Sequence, residues 1–366
     1  MTKHQKTILH VIDTTGPGGA ETVFIDLADK LRDKGYRSIA LIRGKGWVYE
    51  ELKRRNIVTH IIECKGSFNI GFLRKLVSLI KAEKVEIIQS HLLGSNIYCA
   101  MAGMLTRKPV FATFHGAVDV AKQERFLKLK CLILNLGVTK FIAVSKNLKD
   151  EIKASGLLSE RKTTVIYNGV DTALYYKRES SPIRKSLGLN SKNILVGSLG
   201  NVRPAKAYDV LIKAAAIAVK EKPELHFIIA GDTKKEPLMS ELKNLIEKEN
   251  VVNNVHFIGF QNNSADFLGQ MDIFLLTSSS EGFSISTIEA IATGLPVIAT
   301  KCGGPEEIIT TDSEGLLVET NNPPKIAHTI LNIFNTLNHQ ANTASYRFDI
   351  KQTITNYINE YTIFNA

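Results

Sequence analysis

The chain has little cysteine, and what it has is scattered. Cys64, Cys99, Cys131 and Cys302 form no CxxC pair and have no histidine at short range, so neither a zinc site nor a disulfide framework is indicated, and four isolated thiols fit a reducing compartment. No apolar run reaches the 18 residues that would suggest a bilayer span. The polar start, Met1 to Thr7, is followed only by the short apolar stretch Ile8 to Ile12, too brief for a signal-peptide core, so a cytoplasmic chain is expected. Aromatics make up 7% and are not interleaved with a basic patch, which argues against nucleic acid as a partner. With 44% hydrophobic and 22% charged residues, the composition is neither disordered nor collagen-like. A length of 366 residues predicts about two domains with separate cores.

The charge is unusual and unevenly placed. The whole chain carries +10, but residues 1–171 hold 28 Lys+Arg against 16 Asp+Glu, a surplus of +12, and the remainder is −2. Such an asymmetry points to an anionic partner of the first half, the plainer alternative being a solvated basic face.

Short β-branched runs alternate with longer amphipathic stretches. In the first half, strands are expected at Thr7–Asp13, Arg37–Arg43, Thr59–Glu63, Val85–Ser90, Pro109–Phe114, Lys140–Val144 and Thr163–Tyr167. Helices such as Glu21–Lys34, Gly71–Glu83 and Gly94–Thr106 lie between them. The pattern restarts with strands at Ile194–Leu199, His226–Ala230, Val255–Gly259, Ile273–Thr277, Pro296–Ala299 and Gly315–Val318, interleaved with helices at Ala207–Lys222, Pro237–Glu249, Thr287–Thr293 and Pro324–Asn338. Recurring βαβ units predict an α/β fold of two doubly wound, Rossmann-like domains, 1–171 and 193–345, facing a central cleft. Residues 172–192, with Ser180, Ser181 and Pro182, read as the linker, and 346–366 as a final helix.

Four features carry chemistry. The first is the turn Gly16-Pro17-Gly18-Gly19-Ala20-Glu21 before a helix. Glu21 stands where a dinucleotide fingerprint wants glycine or alanine, and the second strand ends at Arg43 rather than at an acid for a ribose, so NAD is disfavoured. A glycine turn whose helix amides can meet a phosphate or a sugar hydroxyl remains, beside the plainer reading of a tight turn only.

The second is Thr277 to Glu307, where Glu281 in a loop and Glu289 inside the next helix are eight residues apart. The amides of Phe283, Ser284 and Ile285 between them lie at a helix N-terminus suited to a diphosphate, and Glu289 is placed to accept ribose hydroxyls. The alternative makes Glu281 a helix cap and Glu289 a surface residue. A second glycine turn, Gly303-Gly304-Pro305, follows and is expected to bring backbone close to the same ligand.

The third is Arg203 and Lys206, just past the first strand of the second half, a cationic pair that could neutralise a diphosphate leaving group or merely be solvated. The fourth is His115, at the end of a strand and followed by Gly116, with His91 in a similar position as a weaker candidate.

Together GPGGAE, TFHG, VSKNLKDEI, VIYNGVD, GNVRPAKAYDVLI and EGFSISTIEAIATGLPVIATKCGGPEE resemble family 4 of the glycosyltransferases, retaining enzymes of the GT-B fold, from about Ile8 to Val318. The resemblance implies that the second domain binds a nucleoside diphosphate sugar and the first an acceptor. Arg203 and Lys206 would hold the diphosphate, Glu289 the ribose and Glu281 the transferred sugar, with the Phe283 and Ser284 amides beside it. Gly18 and Gly19 would approach the donor from the other domain, and His115 would contact the sugar near the reacting carbon. The resemblance further implies no bound metal, in keeping with the lack of an Asp-x-Asp triplet, no cofactor beyond the nucleotide sugar, and a final helix that crosses back to the first domain. This chain departs from the family's frequent glycines at Ser284 and Ala207, from which altered sugar contacts are expected.

The expected activity is retaining transfer of a sugar, from a uridine diphosphate donor by default, to a lipid-linked or oligosaccharide acceptor in bacterial surface polysaccharide assembly. A nucleotide-sugar epimerase or hydrolase on the same scaffold, or a non-catalytic nucleotide-sugar-binding protein, are the competing readings. Lys122, Arg125, Lys128 and Lys130 share a stretch with Phe126, Leu127, Leu129 and Leu132 to Leu134. Such a basic, partly amphipathic segment could rest on an anionic leaflet as a peripheral contact, or pack into the core with a solvated edge.

Overall fold

The computed structural model describes residues 5–64, 69–116, 126–336 and 347–363, without the side chains of 334–336. The chain forms two compact units, Met1–Asn168 with Thr353–Ala366, and Gly169–Gln352.

The first unit is built on seven strands, β1 (Thr7–Ile12), β2 (Arg37–Ile42), β3 (Val58–Ile61), β4 (Ile87–His91), β5 (Val110–Phe114), β6 (Lys140–Ala143) and β7 (Thr163–Val165). They run in the order β3-β2-β1-β4-β5-β6-β7, and every pairing is parallel. β1, β4 and β5 are buried along their whole length, as expected of parallel strands covered on both faces, and with their apolar residues they bury the polar side chains of His10, Gln89, Ser90, His91 and Thr113.

The second unit repeats the plan with β8 (Ile194–Leu199), β9 (Leu225–Ala230), β10 (Val255–Phe257), β11 (Ile273–Leu276), β12 (Val297–Thr300) and β13 (Leu316–Val318), in the order β10-β9-β8-β11-β12-β13. Its core gathers Val196, Phe227, Ile229 and Leu275 against the helices Tyr208–Glu221 and Pro323–Thr336. In both sheets the strand order reverses between the first and fourth strands, so the carboxyl ends of β1 and β4, and of β8 and β11, mark the crevice where doubly wound folds take ligands.

The structure also has helices at Trp47–Arg54 and Lys146–Ser155, outside the expected elements. Both are short, and each buries a single pair at i, i+4 spacing, Val48 with Leu52 and Leu148 with Ile152. The segment read as a linker is tied to the second unit by side chains: Arg178 Nε donates to Asp266 Oδ1 at 2.9 Å, Arg184 pairs with Asp272, and a short helix spans Pro182–Ser186.

The final helix, Ile350–Ile363, turns its tyrosines into the first unit. Tyr361 donates to Gln89 Oε1 at 2.9 Å, and the Tyr357 hydroxyl lies 3.1 Å from Thr113 Oγ1. Among the described residues no helix is long and apolar enough to cross a membrane.

Candidate active site

In the second unit the loops after β8, β11 and β12 converge. The loop after β8 makes a 3-10 turn, Pro204–Lys206, and hands over to the helix Tyr208–Glu221 at Ala207. It is sewn to the loop after β11 by Ser279 N to Ala205 O at 2.8 Å and by Thr277 Oγ1 to Lys206 O at 3.0 Å. These bonds deliver Lys206 Nζ to 2.7 Å from Glu281 Oε1, which also accepts from Ser278 Oγ at 2.7 Å. Glu281 does not cap the following helix. It forms an isolated parallel bridge with Gly303, Glu281 N donating to Cys302 O and Gly304 N to Glu281 O. Burial, with the Glu281 carboxylate nearby, pushes the Cys302 thiol up to about 12, so this cysteine is an un-ionised wall of the site rather than a nucleophile.

The helix Ile285–Ala292 starts immediately beyond, and no side chain caps its N-terminus. Ser284, the N-cap, is buried and its Oγ instead accepts from Thr287 Oγ1 at 2.8 Å. Gly304 packs so tightly here that a Cβ would stand 2.8 Å from Phe283 Cα and 3.1 Å from Ser284 N. The two glutamates take different partners. Glu289 is buried, not a surface residue, and its Oε1 accepts from Tyr175 at 2.7 Å and from Ser264 at 2.9 Å. Arg203 is exposed, and its guanidinium has no hydrogen-bond partner among the described residues.

In the first unit, Gly18 is the N-cap of the helix Gly19–Arg32, and a Cβ there would collide with the carboxylate of the buried Glu21. His91, fully buried at the end of β4, places Nδ1 2.9 Å from Nε2 of the partly exposed His115. Burial holds His115 down to about 3 and His91 well below the usual imidazole range, so both are neutral.

Of the basic stretch, Lys122 and Arg125 lie outside the described residues. Lys128 and Lys130 lie on the helix Leu127–Gly137, with Lys128 exposed and Lys130 partly so. That helix buries Cys131 and Leu134 but exposes Leu129, Leu132 and Leu136.

The second unit thus combines a lysine–carboxylate pair, an uncapped helix start and an inward glycine turn at a sheet switch point. Two family models match this chain: Glycosyltransferase Family 4 over residues 17–174, and Glycosyl transferases group 1 over residues 179–347. The chain belongs to glycosyltransferase family 4, group 1. It is similar, at 24% identity over 85% of this chain and 83% of the relative, to N-acetyl-alpha-D-glucosaminyl L-malate synthase of Bacillus anthracis. It is 27% identical, over 70% of this chain and 69% of the relative, to the UDP-Gal:alpha-D-GlcNAc-diphosphoundecaprenol alpha-1,3-galactosyltransferase of Escherichia coli. HepE of Anabaena, solved with UDP and glucose, superposes with a TM-score of 0.86 at 25% identity, over 98% of this chain and all of that one.

The candidate glutamates are also held by residues that sequence reasoning passed over. Ser278 sits in a plain run of serines, and Tyr175 and Ser264 are 114 and 25 residues from the glutamate they orient. No local signal marks them. At Ala207, where the family often has glycine, the backbone is left-handed, φ +47° and ψ +47°, the conformation for which glycine is the unstrained choice.

Proposed function

We propose that this glycosyltransferase moves a sugar, with retention, from a nucleoside diphosphate sugar to a hydroxyl of a lipid-linked or oligosaccharide acceptor in surface polysaccharide assembly. The observation that carries this reading is Lys206 Nζ, held 2.7 Å from Glu281 beside the uncapped helix start at Ser284. In this proposal Lys206 and Arg203 meet the diphosphate, the Phe283, Ser284 and Ile285 amides add their dipoles, and Glu281 orients the sugar. Glu289, fixed by Tyr175 and Ser264, receives the ribose hydroxyls. The bond from the anomeric carbon to the diphosphate oxygen breaks while the acceptor oxygen bonds to the same face, and the acceptor proton passes to the departing diphosphate. No metal is needed where two cationic side chains and a helix N-terminus neutralise that charge. A uridine donor is favoured by the likeness to HepE, solved with UDP.

A lipid-linked acceptor is supported by the helix Leu127–Gly137. Leu129, Leu132 and Leu136 recur at helical spacing and are 49%, 54% and 66% exposed, next to the exposed Lys128. Apolar side chains rimmed by cations match an anionic leaflet. The Escherichia coli relative acts on a diphosphoundecaprenol-linked sugar, whereas the product of the Bacillus anthracis relative is a malate glycoside, so the acceptor class divides among relatives.

A thermal-shift panel of UDP, GDP and ADP sugars tests the donor: a ligand at 100 times its dissociation constant adds about 2.7 kcal/mol. Turnover of the stabilising donor in EDTA, with the product anomer read by NMR, tests the reaction. Inverted product, a requirement for metal, or epimerised or hydrolysed donor at catalytic rates without acceptor would overturn it. Co-sedimentation with anionic vesicles at low salt, weakened by Leu129→Ser with Leu132→Ser, tests the leaflet, and failure of the native protein to co-sediment removes it.

A further inference from the structure

A chain of hydrogen bonds in the first unit runs from the final helix to His115. Tyr361 donates to Gln89 Oε1 at 2.9 Å, so the amide oxygen of Gln89 is engaged and its –NH2 faces the other way. That nitrogen donates one proton to Thr113 Oγ1 at 2.9 Å and turns the other between Ser90 O at 3.4 Å and His91 Nε2 at 3.5 Å. An amide nitrogen has protons and no lone pair to offer, so the imidazole nitrogen facing it is the unprotonated one. His91 therefore carries its proton on Nδ1, which lies 2.9 Å from His115 Nε2. A nitrogen that accepts that proton is itself unprotonated, and the proton of His115 resides on Nδ1. The two rings lie 23° from coplanar with centroids 5.2 Å apart.

We propose that Gln89 and His91 are positioning residues that hold His115 in its Nδ1–H tautomer, and that Tyr361 of the final helix sets the direction of this relay. The proposal deepens the reading of His115 as the group beside the transferred sugar and rests on it. In this state His115 Nε2 is occupied by His91, and its Nδ1 already has a proton. His115 then serves the transfer as a fixed dipole and not as a general base, which suits a reaction in which the departing diphosphate takes the acceptor proton. The C-terminal helix thereby reaches His115 through three side chains, beginning 272 residues back along the chain at Gln89.

The relay is tested on the full chain labelled with 15N-histidine, by long-range proton–nitrogen correlation, with His91 and His115 assigned by single substitution. Both residues are expected as Nδ1–H in the native protein. In Gln89→Glu an acceptor-only carboxylate faces His91 Nε2, so both imidazoles are expected to move their proton to Nε2. Tyr361→Phe removes the donor that fixes the amide, and a mixture of tautomers is expected there, which keeps the test open if Gln89→Glu does not fold. Native His115 found as Nε2–H, or a tautomer unmoved in both variants, overturns the relay. The glycosyl-transfer reading fails separately, by absence of turnover in the native chain.

Discussion

Lys206 and Glu281 form an ion pair of 2.7 Å with side chains only 20% and 15% exposed, on loops that follow different strands. An ammonium this sheltered is worth more to a developing negative charge than one in water, because the surrounding dielectric is lower. Lys206→Ala is expected to lower kcat by roughly 10²- to 10³-fold, the scale for removing one preorganised stabiliser of a transition state. Steady-state kinetics with saturating donor check this, and an unchanged kcat refutes the assignment of Lys206 to the leaving group.

Two glycines of the same site differ in what a methyl group would meet. At Gly304 it would press on backbone, 2.8 Å from Phe283 Cα, so Gly304→Ala should destabilise by about 1–3 kcal/mol and displace the helix start. At Gly200 it would lie 2.6 Å from Lys206 Cε, the far part of a flexible side chain. Gly200→Ala should therefore leave the melting temperature nearly unchanged while turnover falls, since Lys206 is what must move. Thermal melts and kcat measured together separate the two, and full activity in Gly200→Ala would mean that Lys206 has room to spare.

The strands were legible because buried parallel strands are short, mostly apolar runs bounded by turn residues, as in Ile194–Leu199 and Ile273–Leu276. Arg203, Lys206 and Glu281 drew attention because charged residues in loops just past the carboxyl ends of strands have few structural excuses, and Glu289 because it follows in the helix that such a loop opens. Pairings were not legible. A carboxylate advertises that it needs a donor but not which one, so nothing local links Glu281 to Lys206, 75 residues away, or Glu289 to Tyr175. The two glutamates read as a matched pair facing one ligand, yet each has its own partners. Nor could sequence say that Tyr361 would reach Gln89, because a buried tyrosine looks the same wherever its hydroxyl ends.

Ala207 holds φ +47°, ψ +47° between a 3-10 turn and a helix, where a Cβ crowds the backbone. Releasing that strain is worth about 1–2 kcal/mol, and the extra freedom glycine gives the unfolded chain returns about 0.4–1 kcal/mol of it. Ala207→Gly is expected to stabilise the second unit by about 1 kcal/mol, read as a rise in melting temperature of about 2–4 °C. A drop would show that the methyl, which packs against the core of that unit, outweighs the strain.

His10 sits on β1 with no exposed surface, and neither ring nitrogen has a hydrogen-bond partner among the described residues. Burial lowers it to about 3, as it does His115, and His91 is lowered well below the usual range. In the unfolded chain these groups bind protons below about 6.5. Between about 6.5 and 3 the unfolded state thus holds more protons than the native one, and stability falls as pH falls through that window and is flat above it. Each imidazole adds a slope of about 1.4 kcal/mol per pH unit. Asp13 and Asp26, raised by burial, act in the opposite sense towards the acid end. His10→Leu removes one such proton without removing a hydrogen bond, so denaturant unfolding of the first unit should show its slope between pH 6 and 4.5 reduced by about that amount. At pH 8 the variant should be at least as stable as the native chain, because an unpaired buried polar ring has been replaced by an apolar side chain. Parallel slopes for the two proteins would place a proton on native His10 and remove it from the acid limb.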